Sequence, residues 1–194
     1  MRNSILMLAT AAVLSLLPVV TQAEQAPPSA KAMQDAQREA LKPLDFLNGI
    51  WQGNAYNIGP DGMRHEIVQT ERIGPMLDGT IKVIEGRGYN ADGTVGFNAF
   101  AVLSYDVRKR AFNFRSYAMG NEGDFEFTPT RDGYVWKVQA GPVTIRYTAK
   151  ITGASFNEVG DRILPDGKEI RFFEMNLKRV SDTTWPSGQA VPMK

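Results

Sequence analysis

The 194-residue chain has no cysteine and one histidine, His65. The first absence excludes disulfides, thiolate nucleophiles, cysteine-ligated zinc, iron–sulfur clusters, thioether-linked haem and a lipidated N-terminal cysteine. The second excludes any multi-histidine metal site. Charge of one sign is also missing: 22 Lys and Arg face 21 Asp and Glu. Phosphate-backbone binding relies on an excess of basic residues, so nucleic acid is not expected as a partner. No Gly-x-Ser-x-Gly elbow occurs, and the Asp-rich turns lack the spacing of a calcium loop. The sequence therefore names no catalytic residue, no metal and no cofactor. With 43% hydrophobic and 22% charged residues it is the sequence of a folded domain.

The N-terminus reads as an address. Arg2 supplies a positive start, Ile5 to Val20 is uncharged and mostly apolar, and Thr21-Gln22-Ala23 places small residues where a signal peptidase reads. The apolar run is short against the roughly 20 residues of a bilayer span, and no basic stop-transfer cluster follows. Residues 1–23 are expected to be a signal peptide cut after Ala23, giving a periplasmic or secreted protein with no stable membrane insertion. Residues 24–43 read as a linker and a helix over Ala30–Leu41, capped by Ser29 and stopped by Pro43. Residues 44–180 form the main domain, and 181–194 a tail strapped over its outside.

From Gly49 onward, turn signals recur at short intervals: Gly59-Pro60-Asp61-Gly62, Leu77-Asp78-Gly79, Asn90-Ala91-Asp92-Gly93, Gly120-Asn121-Glu122-Gly123, Arg131-Asp132-Gly133, Ala140-Gly141-Pro142 and Leu164-Pro165-Asp166-Gly167. These supply the positive φ of tight hairpins. The runs between them have strand composition, and several alternate with period two. Val143, Ile145, Tyr147, Ala149 and Ile151 share one face, while Thr144, Arg146, Thr148 and Lys150 share the other. About ten consecutive strands with short turns make an antiparallel meander, and closure removes its exposed edges. The expected fold is an all-β, up-and-down barrel of about 8–10 strands with one short N-terminal helix.

Leu44-Asp45-Phe46-Leu47-Asn48-Gly49-Ile50-Trp51-Gln52-Gly53 carries a Gly-x-Trp-x-Gly that opens the first strand after an apolar helical turn. This resembles the calycin-like barrels, which include lipocalins, fatty-acid-binding proteins and the nitrobindin type. The segment Gln69–Gly79 is similar to a family of exported bacterial barrels with no assigned function. The resemblance implies that Trp51 closes the narrow end, that Gly49 and Gly53 let the strand bend around it, and that a basic last-strand residue lies across the indole, with Arg179 the first candidate and Lys178 and Arg171 its competitors. Nitrobindin-type barrels hold haem through a histidine on a late strand. This chain has none there, and only His65 on the second strand could substitute.

Gly86-Arg87-Gly88-Tyr89-Asn90-Ala91 matches a dinucleotide-binding pattern, but a hairpin turn follows it where a helix is required. A barrel of this size is about where side chains stop filling the interior, so a small ligand fits. Aromatic residues cluster in the central strands, and Phe100 and Tyr117 are taken as lining positions. In the second strand His65, Gln69 and Glu71 share a face; in the third, Glu85, Arg87 and Tyr89 do. Turning both faces inward sets Gln69 opposite Glu85, Ile67 opposite Arg87 and His65 opposite Tyr89. The expected function is binding of a small apolar molecule with a polar or anionic head group held by Arg87. The alternatives are a filled barrel acting through its surface and an enzyme using an interior carboxylate and Arg.

Overall fold

A computed structural model describes residues 28–186. The signal peptide expected at 1–23 lies outside the described residues, as does most of the tail. Helix α1 spans Ala30–Leu41, and the Ser29 hydroxyl accepts the Ala32 amide at 3.2 Å. Pro43 has no N–H to continue the helical ladder, and the chain tightens into a 3-10 helix over Lys42–Leu47. Ten strands follow: β1 Gly49–Ile58, β2 Arg64–Met76, β3 Ile81–Tyr89, β4 Val95–Asp106, β5 Ala111–Ala118, β6 Asn121–Thr130, β7 Gly133–Ala140, β8 Val143–Thr152, β9 Ser155–Ile163 and β10 Glu169–Ser181. Each pairs antiparallel with the next, and β10 pairs with β1 to close the barrel. Among the described residues no helix is long and apolar enough to cross a membrane.

Two hairpins differ from the sequence reading. Asn121 to Gly123 belong to β6, because the turn consists of Met119 and Gly120 alone, both at positive φ. More consequentially, β2 continues to Met76 and the β2–β3 turn is Leu77 to Thr80, so Met76 pairs with Ile81. The pairing is therefore three residues away from the expected one. An odd slip exchanges the two faces of a strand. Gln69 lies opposite Gly88, Glu71 opposite Gly86, Thr70 opposite Arg87 and Arg72 opposite Glu85. The odd-numbered face of β2 points inward, and that of β3 points outward.

The helical end is packed solid. Leu41, Leu44 and Leu47 cover the base above Trp51, Ile73, Leu103, Phe156 and Leu177, all almost fully buried. The Trp51 indole N–H donates to the Leu47 carbonyl at 2.9 Å, and its ring meets Phe156 edge-on at 5.6 Å. Arg179 lies 4.7 Å over the indole and donates to the Phe46 carbonyl at 3.1 Å. Gly53 faces the backbone of Asn176 and Leu177 so closely that a Cβ would collide with it. Gly49 has φ +135 and stacks against the Arg179 guanidinium. Lys82, 1% exposed, points into this base and donates to Asp45 at 3.2 Å and to Asn48. It ties β3 to the 3-10 helix. Outside the barrel, Trp185 lies across β2, with the Arg72 guanidinium 4.4 Å over its ring.

Candidate functional site

Above the sealed base the barrel changes character. Inward residues of the lower layers, such as Ala101, Phe114, Ala149 and Met175, are buried. In the layers above, Ile67, Phe125, Trp136, Tyr147 and Phe173 point inward by their pairing yet stay only half-buried. In a closed wall, an inward side chain can keep accessible surface only towards the interior. The upper half is therefore less closely packed than the base, and its accessible inward surface is largely aromatic. Trp136 and Tyr147 stack flat at 4.1 Å, and Phe114, Phe125 and Phe173 pack around this pair.

Two carboxyl groups stand in this interior. Glu71 on β2 accepts the Gln69 side-chain amide at 2.8 Å, and no donor in the described structure reaches its second oxygen. Glycine creates the room for both side chains. Gly86 and Gly88 face inward on β3, and a Cβ at Gly86 would press on the Glu71 carboxyl. At Gly88 it would meet the side chains of Ile67 and Phe97 and the Gln69 side-chain oxygen Oε1. Glu158 on β9 accepts the Tyr134 hydroxyl at 2.6 Å and the Trp136 indole N–H at 3.1 Å. Burial pushes Glu71 up from 4.5 to about 8, against the Gln69 hydrogen bond, with the charges of Glu158 and Glu85 adding to the rise. Burial raises Glu158 too, opposed by its two donors. Tyr134 is held well above its usual value, first by burial and then by Glu158, and Glu71 contributes as well. The two acids thus feel each other across one interior.

Of the residues expected to form an interior wall, the structure brings together Gln69 and Glu71. His65 lies on the same face at the rim, exposed, 3.4 Å from Asp61. Glu85, Arg87 and Tyr89 are on the outside, a correction that follows from the β2–β3 register. Glu85 pairs there with Arg72 at 3.0 Å and Arg87 at 2.9 Å. Arg87 therefore cannot hold a head group inside the barrel. Phe100 and Tyr117 face each other on the outer wall, 39% and 41% exposed, in a groove of about 420 Å³ with Met119 and Glu122. Tyr89 lines a second outer groove of about 510 Å³ with Tyr56, Arg64, Val68 and Glu174. Neither groove opens onto the acids.

The sequence reading missed Glu158. Its signal was present: the apolar face Val143 to Ile151 of β8 must point inward, and Ala149 on that face pairs with Glu158. Among the described residues, no group of three or more His, Cys, Asp and Glu converges as metal ligands.

No family model matches the chain, and no curated protein matches it. Among solved structures, that of Rv2717c from M. tuberculosis aligns with TM-score 0.55 at 14% identity, covering 72% of this chain and 96% of that one. The S-type phycobiliprotein lyase CPES from Guillardia theta aligns with TM-score 0.48 at 10% identity, over 81% and 99% of the two chains. At 14% identity the likeness to Rv2717c is one of fold alone: this chain is a closed, ten-stranded antiparallel barrel, calycin-like in form, with a short N-terminal helical segment.

Proposed function

We propose that this chain is an exported barrel that binds a small, largely apolar molecule in its upper interior. One observation carries the reading. The base is packed to exclusion, whereas the wall above it presents half-buried aromatic faces and two carboxyl groups inward. A mostly apolar enclosure with a few fixed polar groups is the usual form of a small-molecule site. The barrel's hydrogen-bonded wall makes that space rigid before any ligand arrives, which limits the ordering cost of binding. The head-group contact is not an arginine clamp, since Arg87 stands outside. The polar contacts come from Gln69, Glu71 and the Glu158–Tyr134–Trp136 set.

Filling the space tests this. Ala99 points inward on β4, opposite Gly86 and beside Ala118, and is half-buried. Calorimetric titration with 2-naphthalenemethanol, a neutral aromatic probe, should show saturable binding to the parent and at least about tenfold weaker binding to Ala99→Phe. An Arg87→Met variant should bind like the parent. No saturable binding by the parent, or equal binding by Ala99→Phe, removes the proposal. Export rests on the N-terminal sequence alone: the protein recovered from the envelope should begin at Glu24, and intact mass showing residues 1–23 retained would overturn that half.

A further inference from the structure

We infer that the preferred ligand carries a basic amine, and that Glu71 is the residue that selects it. The inference rests on the reading of the interior as a binding site and deepens it.

The two interior acids differ in how many protein donors already hold them. Glu158 already receives two protein donors, one from Tyr134 and one from Trp136. Glu71 receives one, from Gln69, leaving an oxygen for something else. No protein cation is available to it. Lys82 lies on the same wall of β3 but is turned down to Asp45 and Asn48 at the base. Arg179 is held over Trp51 by the Phe46 carbonyl and Asp182. Arg162 faces inward at the rim opposite Ile145, where it donates to the Ile58 carbonyl at 3.2 Å, stacks 4.5 Å over Phe172 and acts on Tyr147, and it is not among the charges that act on Glu71. Arg72 and Arg87 are on the other side of the wall with Glu85. A carboxyl group in this position lacks the counter-charge that buried acids normally have.

The aromatic lining is an independent observation with the same sign preference. Trp136 and Tyr147 form one flat stack, and Phe125 and Phe173 keep accessible surface towards the interior. Aromatic faces are negative, so a cation is drawn to them and an anion is not. An ammonium group on an apolar body would donate to the open Glu71 oxygen while its body lies on the rings. A carboxylate placed beside Glu71 would meet that acid, the acid of Glu158 and the ring faces, with Arg162 at the rim as the cation nearest the stack. A neutral alcohol would make the hydrogen bond but gain nothing from the charge. The groups facing Glu71 are Glu158 and Tyr134 across the space, with Glu85 behind its own wall. None supplies a positive charge, so the amine alone does.

The test keeps the body of the probe constant and changes its head: 1-naphthylmethylamine, 1-naphthalenemethanol and 1-naphthoate, titrated calorimetrically at pH 7 into parent, Glu71→Gln and Glu126→Gln. Expected for the parent is amine affinity about tenfold or more above the alcohol, with the naphthoate weakest. Glu71→Gln should lose that preference through the amine alone, its alcohol affinity staying within about twofold. Glu126→Gln, altered on the exposed outer face of β6 where Glu126 pairs with Lys137, should match the parent. Repeating the amine titration in buffers of different ionisation enthalpy should show a proton released on binding by the parent and none by Glu71→Gln. Equal amine and alcohol affinity, tighter naphthoate binding, or a preference surviving in Glu71→Gln overturns the amine inference while leaving the binding site standing. Failure of all three probes to bind the parent removes the binding site itself.

Discussion

Replacing Glu71 with glutamine should make the protein more stable, and more so as the pH rises. The unfolded chain releases the Glu71 proton near 4.5, whereas the folded chain holds it up to about 8. Between those values the folded state binds more protons than the unfolded one, so stability falls with rising pH. The contribution is fully present below 4.5, declines up to about 8 and is level beyond. At about 1.4 kcal/mol per pH unit, the loss by pH 7 is about 3 kcal/mol. Glu71 keeps some accessible surface, and water reaching the interior screens the charge, so about 2 kcal/mol is the better expectation. Glutamine keeps a carbonyl for the Gln69 amide and has no charge to bury. For a chain of this size, that difference moves the midpoint by about 4–8 °C. Thermal melts followed by circular dichroism at pH 5, 6, 7, 8 and 9 decide the matter. The gap between parent and variant should be small at pH 5 and widen steadily to pH 8. Glu158 titrates in the same direction in both proteins and largely cancels in the difference. Parallel curves from pH 5 to 9 would mean that Glu71 ionises as it does in water, and the account of the interior would fail with it.

Two further outcomes bear on other parts of the fold. Trp51→Ala should cost about 3–5 kcal/mol, since it empties the packed base and strands Arg179 without the ring it covers; an unchanged melting temperature in calorimetry would contradict the sealed base. Envelope protein beginning at Glu24, with binding of the neutral probe intact, would show that the leader plays no part in the site.

What the sequence made legible follows from what is local. Turn residues and alternating strands were enough for a ten-strand meander, because each hairpin carries its own Gly, Asn or Asp signal. The helix was legible in Ser29 and Pro43. The pairing of β2 with β3 was not. Gly74-Pro75 looks like a strand end, yet β2 runs through it to Met76, with Trp185 covering Gly74 from outside. That cover comes from more than a hundred residues away in the chain, and no hairpin rule contains it. One wrong register moved Glu85, Arg87 and Tyr89 through the wall. The apolar alternation of β8 would have corrected it. Closure couples every register: with Ala149 and Tyr147 inside, Glu158 must be inside, and successive pairings carry that parity around to Glu71 and Gly86.

The positions of Glu71 and Gly86 argue for more than packing. A leucine at 71 would bury apolar surface with no proton to hold, and an alanine at 86 would fit a strand better than glycine by about 0.5–1 kcal/mol. The chain has neither, and the two departures sit opposite each other in one cross-strand pair. Each alone would be an ordinary local concession. Together they set a carboxyl against bare backbone, with Gln69 donating to one oxygen and no donor among the described residues on the other. Lower down the same wall the sequence does the reverse, filling the base with Trp51, Leu103, Phe156 and Leu177. A barrel able to pack one end so completely has the means to pack the other. That it keeps a destabilising acid and a facing glycine above a solid floor is the pattern expected where stability has been given up for a site.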